Sequence, residues 1–124
     1  MNLFASEKDK ESILLPLLDG DVIYYPNFFS SEEASVYFKM LKDKVEWRQD
    51  DIKLFGKTYK QPRLTALYGS NEKPYSYSGI TMFPKPFTSI LKDIKQKIEK
   101  ISEVQFTTAL LNLYRDGNDS NGWH

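Results

Sequence analysis

The single histidine of the chain, His124, is its last residue. It follows an apolar run and a polar turn, Ala109-Leu-Leu-Asn-Leu-Tyr-Arg-Asp-Gly-Asn-Asp-Ser-Asn-Gly-Trp-His124. Imidazole is the commonest metal ligand and the usual proton carrier near neutral pH. A catalytic metal takes about three protein ligands, so one imidazole does not hold it alone. His124 is therefore either an incidental solvated histidine or the first member of a site completed by other groups. Upstream, Asn112 and Tyr114 stand two apart in the apolar run. On a strand such residues share a face, so their neutral hydrogen-bonding groups project together while Leu111 and Leu113 point the other way. That face either shows polar groups to water or lines a pocket. The Asp50-Asp51 pair would suit acid-base work, but neighbours on a strand point to opposite faces, which discounts it.

Composition bounds the chemistry. The chain has 124 residues, enough for one domain with a buried core, and 40% of them are apolar, so it is expected to fold. It contains no cysteine, which excludes disulfides, thiolate nucleophiles and zinc-thiolate sites and is compatible with a reducing cytosol. No run approaches the roughly 20 apolar residues of a membrane span. Met1 to Glu11 is too charged for a secretory signal. The formal net charge is zero, so any nucleic-acid role must rest on a local basic patch. A cytoplasmic protein is expected, or a nuclear one in a eukaryote.

The elements follow from pattern. Residues 1–12 are expected to fray, and one domain is expected over 13–124. Ile13 to Leu18 is an apolar patch closed by Asp19-Gly20, and Val22 to Tyr25 has strand composition ended by Pro26. Ser30 and Glu33 have capping-box spacing ahead of a stripe at Ala34, Tyr37, Phe38, Leu41 and Val45, which predicts a helix over 31–45. Residues 46–68 predict two strands joined near Phe55-Gly56-Lys57, with Pro62 at an edge or strand start. Residues 69–80 have loop composition. Phe87, Ile90, Leu91, Ile94, Ile98 and Ile101 form a second helical stripe, whose Lys92, Lys95, Lys97 and Lys100 are expected on a solvated face. A strand over 106–114 follows. The order disfavours a doubly wound sheet and predicts an α+β domain with mainly antiparallel strands.

Three blocks carry a family resemblance: Pro62-Arg-Leu-Thr-Ala-Leu-Tyr-Gly69, Pro74-Tyr-Ser-Tyr-Ser-Gly79, and Leu111-Asn-Leu-Tyr-Arg-Asp-Gly117 running on to Gly122-Trp-His124. Together they resemble the AlkB family of iron(II)- and 2-oxoglutarate-dependent dioxygenases, over roughly residues 20 to 124. The resemblance implies the amino-terminal part of a double-stranded β-helix (a jelly roll) with two flanking helices and a nucleotide-recognition lid. It implies Fe(II) as metal, 2-oxoglutarate as cosubstrate and alkylated DNA or RNA as substrate, with the N-alkyl group hydroxylated and lost as aldehyde. By resemblance His124 is the first iron ligand of a His-x-Asp pair, and Asn112 and Tyr114 hold oxoglutarate. The family's remaining ligands and its oxoglutarate-binding arginine would lie past His124, so the domain is expected to be truncated there, inactive alone and prone to self-association through unpaired strand edges.

Phe55, Gly56 and Lys57 sit where the related repair enzymes carry a hydrophobic finger. An apolar ring props the gap left by a flipped base, and Lys53, Lys57, Lys60 and Arg63 would hold phosphates. The competing reading folds Phe55 back onto the core. Tyr75, Tyr77 and Ser78 are expected in the lid, where stacking contributes about 1–3 kcal/mol per base; otherwise they cap a core edge. Arg115 is expected to be solvated. Alternatives to the dealkylase are a non-catalytic nucleic-acid-binding module and an inactive fragment.

Overall fold

Strand β5 (Leu64–Gly69) organises the molecule. The computed structural model describes residues 11–77 and 79–122. In chain order these form β1 (Ile13–Leu15), β2 (Val22–Tyr24), α1 (Ser31–Lys44), β3 (Asp51–Leu54), β4 (Lys57–Lys60), β5, β6 (Tyr75–Tyr77), β7 (Ile80–Met82), α2 (Ser89–Ser102) and β8 (Thr108–Leu113). The strands pair as antiparallel ladders β1–β2, β3–β4, β5–β8 and β6–β7, giving the α+β class that the sequence predicts.

From Thr65 onward every residue of β5 is buried, because both of its faces are covered. Ala66 and Tyr68 pack with Val45 and Leu91 against the two helices, with Leu41, Trp47, Phe87, Ile90 and Leu111 around them. Leu67, on the opposite face, packs with Ile80 and Met82, flanked by Ile52 and Tyr77. One strand thus separates a helix-side core from a hairpin-side core packed by β6–β7. Its partner β8 alternates exposed and half-buried residues, so only its helix-side face is covered.

Helix α1 begins as its sequence dictates. Glu33 N donates to Ser30 Oγ at 3.1 Å and Ser30 N donates to Glu33 Oε1 at 3.1 Å, closing the capping box. Its apolar stripe is narrower than predicted. Tyr37 and Leu41 turn inward, whereas Ala34 is exposed and Phe38 is 60% exposed. Edge-on rings Tyr25, Phe28, Phe29 and Tyr37 instead tie the exit of β2 to this helix. Lys97 departs from the expected solvated face of α2. It donates to Glu33 Oε2 at 3.1 Å and to Tyr37 Oη, which in turn donates to Asp93. The Tyr37 hydroxyl, with Glu33 beside it, holds the Lys97 ammonium above lysine's ordinary pKa. Lys95 pairs with Glu99 at 2.9 Å, while Lys92 and Lys100 are exposed.

Two further expectations need correction. The segment predicted as two strands contains three, because Gln61-Pro62-Arg63 breaks the extended run between β4 and β5; Pro62 has no N–H for a ladder. The segment predicted as loop holds the β6–β7 hairpin, in which Tyr75 pairs with Met82 and Tyr77 with Ile80. Its apolar side is supplied by Ile80 and Met82, the latter beyond the stretch with loop composition. The hairpin returns to β5 through Lys85 N donating to Leu67 O at 3.0 Å and Gly69 N donating to Lys85 O at 2.9 Å. Gly69 suits this close crossing: a Cβ there would stand 3.1 Å from Pro84 Cβ and 3.2 Å from the Thr107 carbonyl, so a larger residue needs its neighbours to shift by a few tenths of an ångström. Among the described residues no helix is long and apolar enough to cross a membrane.

Candidate functional site

The β5–β8 register decides which residues share the open face. Thr65 lies opposite Asn112 and Leu67 opposite Leu110, while Ala66 lies opposite Leu111. Directly opposed residues project to the same side. Asn112 therefore shares the face of Leu67, the face on which the β6–β7 hairpin packs. Leu111 enters the helix-side core. β8 ends at Leu113, so the alternation fixes the face of Asn112 but does not extend to Tyr114; both residues are solvent-accessible, Tyr114 to 45%.

Asn112 is oriented by its neighbour. Its Oδ1 accepts from Arg63 Nε at 3.2 Å, which leaves its Nδ2 donors without a partner among the described residues. Arg63 Nη1 donates to the Ser120 carbonyl at 3.1 Å, and Ser120 N donates to the Pro62 carbonyl at 2.9 Å. The turn after β8 is thus stapled to the residues that enter β5. Within that turn Arg115 grips Asp119 through its backbone N at 2.9 Å, Nε at 2.7 Å and Nη2 at 3.0 Å. Arg115, expected to be solvated, is an ion-pair partner, although 43% of its side chain stays exposed.

The Arg115 guanidinium, reinforced by the Arg115 backbone N–H, pulls the Asp119 carboxyl down to about 2. A folded-state pKa below the unfolded value makes the contribution of this pair complete above about pH 4. It is lost as pH falls through the folded value. Urea midpoints of the wild type and Asp119→Asn are accordingly expected to differ at pH 6 and to converge as pH approaches about 2. A gap that stays constant across that range would show that Asp119 contributes no such linkage.

On the β6–β7 hairpin, Tyr77 is half-buried and its hydroxyl accepts from Gln61 Nε2 at 3.0 Å. The Tyr75 and Tyr77 ring centroids stand 5.5 Å apart. Gln61 is itself 1% exposed and held by its main chain, Gln61 N donating to Asp50 O at 2.7 Å and Gln49 Nε2 donating to Gln61 O at 2.9 Å. Gln61 and Asp119 had no sequence signal as site residues: a glutamine before proline is generic, and an aspartate in a polar turn is ordinary.

The β3–β4 hairpin turns through Phe55 (φ 52°) and Gly56 (φ 77°), a two-residue loop with both central residues left-handed. Phe55 is fully exposed at the tip. The reading that folds it onto the core is not what the structure adopts. Lys53, Lys57 and Lys60 are exposed along the same hairpin. Lys53 and Lys60 share the face of Asp51, whereas Lys57 shares that of Leu54, Tyr59 and Ile52, and Ile52 packs against the cluster of Leu67, Ile80 and Met82.

Among the described residues no group of three His, Cys, Asp or Glu side chains is placed to hold a metal ion. The expected ligand His124 and the expected lid residue Ser78 lie outside the described residues, as do residues 1–10 of the segment expected to fray. For a dicarboxylate cosubstrate the fit is better. The Asn112 amide donors, unpartnered among the described residues, and the hydroxyl of the part-exposed Tyr114 are neutral donors suited to carboxylate oxygens.

The whole segment from residue 21 to residue 124 matches the 2OG-Fe(II) oxygenase superfamily. The alpha-ketoglutarate-dependent dioxygenase alkB homolog 3 of Homo sapiens is 42% identical over 126 residues, covering 94% of this chain and 42% of the relative. The protein of the same name from Mus musculus is also 42% identical over 126 residues, with the same coverage. The DNA oxidative demethylase ALKBH2 of Bos taurus is 32% identical over 103 residues, covering 81% of this chain and 37% of the relative. The chain therefore spans about two-fifths of the length of these curated relatives. On these matches the chain belongs to the 2OG-Fe(II) oxygenase superfamily and, within it, to the AlkB family.

Proposed function

We propose that this chain provides the nucleotide-facing and part of the cosubstrate-facing surface of an Fe(II)- and 2-oxoglutarate-dependent dealkylase acting on N-alkylated DNA bases, built on a jelly-roll core. The observation that carries the nucleic-acid side is Phe55. A bulky residue in the left-handed region costs about 1–2 kcal/mol, and Phe55 has no burial to offset it. Neither turn preference nor folding accounts for an aromatic ring there, and strain of this kind is a pointer to function. Lys53, Lys57 and Lys60 beside it supply local positive charge on a neutral chain. The name DNA oxidative demethylase carried by ALKBH2 relatives favours DNA.

Metal and cosubstrate, when bound, supply the oxidising power for the alkyl group. The residues of this chain do the rest. Asn112 and Tyr114 orient oxoglutarate through neutral donors that meet its carboxylates with hydrogen bonds. Tyr77, anchored by Gln61, offers its ring to an extruded base. A base whose pairing is lost to alkylation costs less to extrude, which favours damaged sites. His124 is proposed as a metal ligand, Ser78 as a lid contact, and Gly56 as the residue that lets the hairpin tip turn.

The test is turnover. Iron-loaded full-length protein, given oxoglutarate and a single-stranded oligonucleotide bearing one N-methylated adenine or cytosine, is expected to yield succinate and repaired base in equal amounts. Salt-sensitive binding of the oligonucleotide with neither product formed would leave a non-catalytic binding module and overturn the dealkylase.

A further inference from the structure

Arg63 sits among the cations that the sequence assigns to phosphate, yet its contacts point inward. Its Nε donates to Asn112 Oδ1 at 3.2 Å and its Nη1 to the Ser120 carbonyl at 3.1 Å. It is half-buried. Leu64 pairs with Leu113 at the end of the β5–β8 ladder, so Arg63 immediately precedes the paired segment. Through its two bonds it links the proposed oxoglutarate contact Asn112 to the turn that follows β8.

This geometry has a chemical consequence. A carboxamide can present either its oxygen or its nitrogen to a ligand, and a carboxylate accepts only from the nitrogen. By donating to Oδ1, Arg63 commits Asn112 to the orientation in which Nδ2 faces the open side. The second prong holds the Ser120 carbonyl, and Ser120 N is bonded in turn to the Pro62 carbonyl at 2.9 Å. A planar guanidinium spans two acceptors in fixed directions, which an ammonium does not.

We infer that Arg63 is a positioning residue of the cosubstrate site: it presets the Asn112 amide for oxoglutarate and locks that strand to the 115–120 turn, and it does not read nucleic acid. This rests on the assignment of Asn112 to oxoglutarate.

The experiment titrates 2-oxoglutarate into iron(II)-loaded full-length protein under anaerobic conditions by calorimetry. It compares wild type, Arg63→Met, Arg63→Lys, Asn112→Ala and the Arg63→Met/Asn112→Ala double variant. Affinity for a plain single-stranded oligonucleotide is followed by fluorescence anisotropy over a salt series. Both Arg63 variants are expected to weaken oxoglutarate binding about ten-fold with oligonucleotide affinity and its salt slope unchanged. In the Asn112→Ala background Arg63→Met is expected to add little, because the amide it orients is gone. Arg63→Lys keeps the stem and charge, so it carries the same reading where the Met variant fails to fold. Lower oligonucleotide affinity and a shallower salt slope, with oxoglutarate binding intact, would make Arg63 a phosphate contact and overturn the inference. Additive losses in the double variant would overturn it too. If Asn112→Ala weakens oxoglutarate binding and the Arg63 variants do not, only the positioning role falls. If Asn112→Ala has no effect, the cosubstrate assignment falls and this inference with it.

Discussion

Met82→Ala is expected to destabilise the protein by about 2–5 kcal/mol. Met82 is 1% exposed and packs with Leu67 and Ile80. It is also the residue opposite Tyr75 in the short β6–β7 ladder. Removing its side chain takes away buried apolar surface and leaves a cavity that a three-residue strand, held to β5 by few backbone bonds, fills poorly. Total stabilities of such domains are about 5–15 kcal/mol, so the loss is a large share. A fall in the urea midpoint with an unchanged slope would report it. Met40→Ala serves as the contrast, because Met40 is 36% exposed and surface changes usually stay within about 0.5 kcal/mol. Equal midpoints for the two variants would mean that the cluster of Leu67, Ile80 and Met82 does not hold the hairpin down. Amide exchange at Leu67 and Ile80 adds a local readout: both are expected to lose protection in the Met82 variant before the helix-side core does.

What the sequence revealed and what it concealed divide along the same line. Local signals were legible. The Ser30/Glu33 capping box, the α2 stripe and the Phe55-Gly56 turn each act through residues a few positions apart, and each appears where pattern places it. Alternation alone put Asn112 and Leu111 on opposite faces of β8. Long-range burial was not legible. Phe38 fits the α1 stripe by spacing, but among the described residues it stays 60% exposed. The β6–β7 hairpin reads as loop because Ser76 and its neighbours are polar, while its stability comes from Ile80 and Met82 meeting Leu67, a contact no local window contains. The same limit applies to Arg63 and Lys97. Both look like free surface cations in the chain. Their partners, Asn112 and Ser120 for one and Glu33 and Tyr37 for the other, lie dozens of residues away. Charge on a sequence gives a count of cations; only the fold says which of them are already engaged.

Phe55 is the converse case, a residue the fold leaves disengaged, and its truncation should therefore separate function from stability. Phe55→Ala is expected to lower kcat/KM on duplex DNA carrying one alkylated base by roughly 5- to 150-fold, the equivalent of about 1–3 kcal/mol of stacking lost at the gap. The urea midpoint should barely move, because Phe55 is fully exposed and alanine meets a similar left-handed penalty at the same φ. Turnover of an alkylated mononucleoside, which has no stack to prop open, should be unaffected. Phe55→Trp should retain most of the duplex activity, since a larger ring still fills the gap. Substituting Lys53 or Lys57 by alanine works through a different term: affinity should fall similarly for damaged and plain strands, with a shallower dependence on salt. A wedge and a phosphate contact are thereby told apart on one hairpin. Undiminished turnover of the duplex by Phe55→Ala would remove the reason for an exposed aromatic ring in a strained turn, and with it the hairpin's assigned part in base extrusion.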